Sequence, residues 1–137
     1  MLKQNYTENF CSPIHCAAIS SNTDLLTYIL RHITDFNVGD SLSRRPVHYA
    51  AMVDNTKNLE LLVKYGADLK DIDKKKVTTL MLAAKAGHYK NIKLILEKIR
   101  DVQYINFKSD EGLAAIHYAV IGRHLECLTF MMDDPLV

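Results

Sequence analysis

Six histidines, three cysteines and a run of three lysines are the residues of this 137-residue chain best suited to chemistry. His15, His48 and His117 recur at the same place in a repeated heptapeptide, and one imidazole per unit at that period cannot converge on a single ion. Cys11, His15 and Cys16 come nearest to a ligand set. His15 and Cys16 are adjacent, however, and point to different sides of a helix, which leaves at most two ligands. Nucleophilic catalysis needs a nucleophile, a base in reach and a group to orient that base. The chain offers no nucleophile elbow, no paired-carboxylate signature and no glycine-rich phosphate loop, and it holds only five glycines. The expectation is a protein without catalytic residues, cofactor or metal. Lys74-Lys75-Lys76, with Arg44-Arg45 in the preceding unit, is either a solvated turn or a basic stripe. As a stripe it would meet an acidic partner, a phosphorylated peptide or a lipid headgroup by electrostatic steering.

The elements that position these residues are repeats. Arg45-Pro46-Val47-His48-Tyr49-Ala50-Ala51 follows Ser12-Pro13-Ile14-His15-Cys16-Ala17-Ala18 by 33 residues. Thr78-Thr79-Leu80-Met81-Leu82-Ala83-Ala84 follows after 33 more, and Ala114-Ala115-Ile116-His117-Tyr118-Ala119-Val120 after a further 36. Self-similarity at this period marks stacked units, none of which can bury its apolar face alone. Each unit opens on a turn-rich segment: Asn5-Tyr6-Thr7-Glu8-Asn9, then residues 37–43, 71–76 and 106–112, dense in Asn, Asp, Ser and Gly. A short helix follows, opened by Ser12-Pro13 or Arg45-Pro46, where proline suits the first helical position. A second helix carries apolar residues three and four apart, such as Leu26, Ile29, Leu30 and Ile33, or Ile92, Ile95, Leu96 and Ile99, on one face. Gly66 and Gly87 stand where helices end. Three additional residues, Asp101-Val102-Gln103, account for the spacing of 36 and predict a longer helix or a looser loop there.

Turn, Thr-Pro-Leu-His-x-Ala-Ala, short helix, Gly-His break, Leu-rich helix and Gly-Ala-Asp together resemble the ankyrin repeat, over residues 4–132. The resemblance implies an all-α repeat solenoid, with each unit a helix-turn-helix plus a β-hairpin finger. The chain 1–137 would then be a single ankyrin-repeat domain, with repeats at about 4–36, 37–69, 70–105 and 106–137. Its last unit is expected to be truncated or capped by other sequence. The family's hairpin glycine is matched by Gly112 and replaced by Phe10, Ser43 and Lys76, where a Cβ is costly at positive φ. The repeated histidine is expected to tie down a turn.

The resemblance also implies a concave groove formed by the fingers and the first helices. The two positions after each Ala-Ala pair face it: Ile19 and Ser20, Met52 and Val53, Lys85 and Ala86, Ile121 and Gly122. Apolar residues on a solvent-facing groove are informative where the same residues in a core are not. The expected protein-binding residues are therefore Ile19, Met52, Val53, Lys85 and Ile121, with Arg44, Lys74, Lys75, Val77 and Leu113 on or beside the fingers. The expected ligand is a peptide or protein surface with apolar anchors and acidic character. Leu30, Asp35 and Asn37 resemble the pattern around which ankyrin repeats are β-hydroxylated on asparagine, which makes Asn37 a candidate modification site.

Composition sets the remaining bounds. The formal net charge is +1, with 48% of residues apolar, so no global field draws the chain to nucleic acid, and aromatic stacking positions for single strands are missing. Lys and Arg number five against six Asp and Glu in residues 1–63, ten against four in 64–100, and two against six in 101–137, so a basic third unit adjoins an acidic fourth. Three cysteines without paired close spacing argue for a reducing compartment, and no apolar run reaches the ~18 residues of a membrane span. The expectation is a soluble protein of the cytoplasm or nucleus, acting as a non-catalytic interaction scaffold. The alternative is a regulatory or assembly segment of a larger protein such as an ion channel, an enzyme or a ubiquitin-ligase adaptor. Leu125, Cys127, Leu128, Phe130, Met131 and Met132 in the last helix predict that further repeats or another domain cover an end.

Overall fold

The computed structural model describes residues 12–20, 22–33 and 35–137. The turn at residues 5–9, Phe10 and Cys11 lie outside the described residues. Within them the chain is helical: α1 (Pro13–Ile19), α2 (Thr23–His32), α3 (Pro46–Ala51), α4 (Thr56–Lys64), α5 (Thr79–Ala86), α6 (Tyr89–Lys98), α7 (Val102–Ile105), α8 (Ala115–Ile121) and α9 (Leu125–Met132). The first helix of each unit packs on that of the next, α1 on α3, α3 on α5 and α5 on α8. The second helices form a parallel row, α2 on α4, α4 on α6 and α6 on α9. These two layers enclose one continuous core. Ala17-Ala18, Ala50-Ala51 and Ala83-Ala84 are buried where first helices approach closely, and Leu26, Leu59, Leu62, Ile92, Ile95 and Met131 fill the space to the second helices.

Helices of six to eight residues leave most of their backbone groups without intrahelical partners. Side chains from the same unit and from its neighbour supply them. The repeated histidine accepts the N-cap N–H on Nδ1, from Ser12 at 3.1 Å, Arg45 at 2.9 Å and Ala114 at 2.9 Å. That fixes the proton of His15 and His48 on Nε2, which donates across the junction to Arg44 O at 2.8 Å and Asp71 O at 2.9 Å. The expectation that this ring ties down a turn is met, and the turn is the neighbour's. In the third unit Met81 takes the position, and its sulfur receives the Thr78 N–H at 3.4 Å.

A second cross-junction device is Asn58, whose Nδ2 donates to Ala18 O and Ser20 O at 3.1 and 2.8 Å. Asn91, 33 residues on, repeats this onto Ala51 O and Val53 O at 3.1 and 2.7 Å. At the last junction the equivalent residue is the buried Cys127, and His124 acts instead, with Nε2 3.0 Å from Lys85 O. Its ring lies between two glycines. A Cβ on Gly122 would come within 2.6 Å of the ring and 2.9 Å of Lys85 O, and one on Gly87 within 2.5 Å of the ring. Gly122 caps α8 with right-handed geometry, and the residue after it, Arg123, holds φ 61°.

The fingers differ from the implied β-hairpins. Among the described residues they form no named strand, and a single antiparallel bridge joins Ile72 to Thr78. Two backbone bonds close each tip, such as Asp40 N–H to Arg44 O and Ser43 N–H to Asp40 O, both at 2.9 Å, and a side-chain oxygen adds to them. Asp40 Oδ1 accepts the N–H groups of Leu42 and Arg44, and Asp73 Oδ1 those of Lys75 and Val77, all at 2.8 to 2.9 Å. Ser43 and Lys76 hold φ 60° beside the 76° of Gly112, so the tip geometry is kept with Cβ atoms in the left-handed region. The extra residues after α6 make neither a longer helix nor a loose loop. Asp101 caps Gln103 N at 3.0 Å to start the one-turn α7, and the buried Tyr104 hydroxyl meets Thr79 Oγ1, Leu69 O and Leu80 N at 2.6, 3.1 and 3.2 Å.

Two consequences are measurable. Asn91→Ala removes the side-chain donor from Ala51 O and from Val53 O, which keeps the Asn55 N–H at 2.8 Å, and should cost about 1–3 kcal/mol in urea unfolding. His48 is fully buried, and desolvation holds its pKa below the usual histidine value despite the Asp71 carbonyl and the charges of Asp71 and Asp73. The unfolded chain then binds the proton first. Stability is complete above about pH 6.5 and falls as pH drops through that value toward the depressed folded pKa, by at most about 1.4 kcal/mol per pH unit. His48→Met, which places here the side chain that Met81 supplies in the third unit, should flatten that slope between pH 7.5 and 5.5 (about one unit either side of the free value).

Candidate interaction groove

Because first helices stack in one row, residues at their C-terminal ends form a row as well. Ile19 and Ile121 are 49% and 58% exposed, Met52 and Val53 half-buried, and Lys85 exposed. Ala86 and Gly122 are half-buried or exposed between them. The carbonyls of Ser20, Val53 and Lys85 in this same row are the ones held by Asn58, Asn91 and His124, so the backbone beneath the groove is fixed by the neighbouring unit.

The finger edge is also joined from unit to unit. Lys74 N–H donates to Leu42 O at 2.8 Å, and Asp110 N–H to Lys75 O at 3.0 Å. The basic residues divide into two groups along it. Arg44 Nε lies 3.2 Å from Asp73 Oδ2, a carboxylate that is almost wholly buried, and Arg45 Nε lies 3.1 Å from Asp71 Oδ2. Arg44 and Arg45 are thus tied to the next finger. Lys74, Lys75 and Lys76 are exposed and form no ion pair among the described residues. Val77 and Leu113 are half-buried against the core beneath the tips. Asp110 and Glu111 are exposed on the following finger, so the basic tip adjoins an acidic one.

Asn37 sits apart from this row, in the extended segment between α2 and the second finger. Its carbonyl accepts from Arg45 Nη1, its N–H reaches Asp35 Oδ1 at 3.3 Å, and its Oδ1 is buried without a protein partner among the described residues. No three His, Cys, Asp or Glu side chains among the described residues come together as a metal set. Asn58, Asn91 and His124 are the functional positions that reading by motif missed. The 33-residue spacing of the two asparagines was the available signal.

A stack of helix pairs joined by turn-like fingers, with α1, α3 and α5 each pinned by side chains of the following unit, defines a stacked-repeat solenoid. The model for ankyrin repeats (3 copies) matches residues 2–73 and again 69–135, and the chain belongs to the ankyrin-repeat family. Such repeats generally serve as protein–protein interaction modules and are typically not enzymes. A search of curated proteins finds no match to the chain. No helix among the described residues is long and apolar enough to cross a membrane.

The pairing of Arg44 with Asp73 separates two roles that the sequence shows as one basic patch. Asp73→Ala removes the acceptor of two finger N–H groups and should cost about 2–3 kcal/mol, whereas Arg44→Ala should cost less than about 1 kcal/mol. Urea unfolding of the two variants checks the difference.

Proposed function

We propose that the protein is a non-catalytic interaction scaffold that takes a peptide or protein surface into the groove formed by its fingers and first helices. The observation that supports this most is the conjunction of exposed apolar groove residues with lysines that form no ion pair among the described residues. Ile19, Met52, Val53 and Ile121 supply apolar contact, and Lys74, Lys75 and Lys85 supply uncompensated positive charge. A ligand with apolar anchors and acidic residues meets both. A backbone held by neighbouring units loses little freedom on binding, so more of the contact energy appears as affinity. Three cysteines, of which Cys16 and Cys127 are free thiols, fit a reducing compartment, and we place the protein in the cytoplasm or nucleus.

Proximity labelling with the wild-type chain and with a Met52→Asp, Val53→Lys variant tests the groove. Partners recovered by the first should be lost from the second, and equal recovery overturns the reading. For a recovered partner, Lys74→Glu with Lys75→Glu should weaken binding at least about tenfold and flatten its dependence on salt. An affinity unaffected by ionic strength removes the electrostatic part.

A further inference from the structure

The six most exposed large apolar side chains among the described residues are not spread over the surface. Leu125 (72%), Met132 (67%), Ile121 and Val120 (55%) lie at the end of the stack formed by the last unit, and Tyr28 (63%) and Leu25 (52%) at the end formed by the first. Ile121 belongs to a row that is open in the inner units as well, but the counterparts of the other five inside the stack are buried or half-buried. Val120 stands where Ala18, Ala51 and Ala84 are fully buried, and Met132 where Leu30 and Leu96 are buried. Leu25 stands where Asn58, Asn91 and Cys127 are buried, and Tyr28 where Leu61, Leu94 and Phe130 pack on the core.

We infer that these two faces bind each other, the last unit of one copy receiving the first unit of a second copy. The junction between the third and fourth units is the template. There Cys127 replaces the asparagine, Phe130 sets its ring edge against Tyr89 at 6.2 Å, and the residue before the second helix, His124, donates to Lys85 O. Advancing one unit puts Leu25 of the second copy beside Val120, and Tyr28 of the second copy beside Leu125, the counterpart of Tyr89. Asn22 of the second copy comes to Ile121 O, the counterpart of Lys85 O. Asn22 is equipped for that contact. It is exposed, its Oδ1 caps Asp24 N at 2.9 Å, and its amide nitrogen remains as a donor. At the first junction the same position also reaches back to the preceding unit, though to a side chain at the start of its second helix, Asn55 Nδ2 lying 3.4 Å from Thr23 Oγ1. The apolar pairs match too: where inner junctions set a polar asparagine against alanine, this one sets leucine against valine. A contact between two different faces does not close on itself, so assembly proceeds stepwise with concentration.

Sedimentation velocity from micromolar to millimolar concentration tests this. The weight-average mass of the wild-type chain should rise with concentration, and Tyr28→Glu and Leu125→Glu should each weaken association at least about tenfold. Both side chains are exposed, so circular dichroism should show both variants folded; Leu25→Lys and Val120→Glu form a second pair. Mixed in equal amounts, Tyr28→Glu and Leu125→Glu chains should form a heterodimer and nothing larger, because each keeps one intact face. Residues 1–63 and 101–137 are both net acidic, so added salt should leave this association intact or strengthen it, opposite to the expectation for the groove ligand. A chain monomeric at every concentration overturns the inference in favour of a different protein on these faces. Undiminished self-association of Tyr28→Glu, or a mixture that stays monomeric, overturns it equally.

Discussion

Short helices cannot satisfy their own ends, and the structure is organised around that constraint. A first helix such as α3, six residues long, has more N–H and C=O groups without an intrahelical partner than it has residues. Two side chains resolve this for each of the first two units. A histidine closes the N-terminus from within and then reaches forward to the next unit; an asparagine of the next unit reaches back to the C-terminus. Each unit therefore completes its neighbour's hydrogen bonding, as units that fold only in a stack require.

The repeated heptapeptide is legible because its functions are local. Proline at the first helical position, alanines at the close approach and histidine at the third helical position follow from distances of a few residues. The fingers were harder to read. Asp40, Asp73 and Ser109 side chains supplement a few backbone bonds there in place of a strand ladder, and positive φ at Ser43 and Lys76 accompanies carboxylates three residues earlier. Composition showed turns there but not which oxygen would hold them. Tyr104 was still less visible, since its partners Thr79 and Leu69 lie 25 and 35 residues away and meet it only because α7 turns the chain inward.

Charge illustrates the same limit at the groove. Arg44, Arg45 and the three lysines read as one basic patch, yet the arginines are absorbed by Asp73 and Asp71 while the lysines stay exposed to solvent. An arginine fork suits a fixed, partly buried carboxylate, whereas lysine keeps its ammonium in water. Residue type thus foreshadowed the division, but only the neighbouring finger's position decides which cation is engaged. The row Ile19, Met52, Val53, Lys85 and Ile121 was legible from the repeat register; Ile19, Lys85 and Ile121 are exposed and Met52 and Val53 half-buried.

The exchange of asparagine for Cys127 also alters how the stack responds to cold. At inner junctions an asparagine amide holds two carbonyls, while the last keeps one imidazole bond, His124 to Lys85 O, and otherwise rests on Cys127, the Phe130–Tyr89 ring contact and the packing of α5 on α8. Apolar coupling weakens on cooling. The junction that leans most on apolar contact is then the one whose hold should weaken most on chilling.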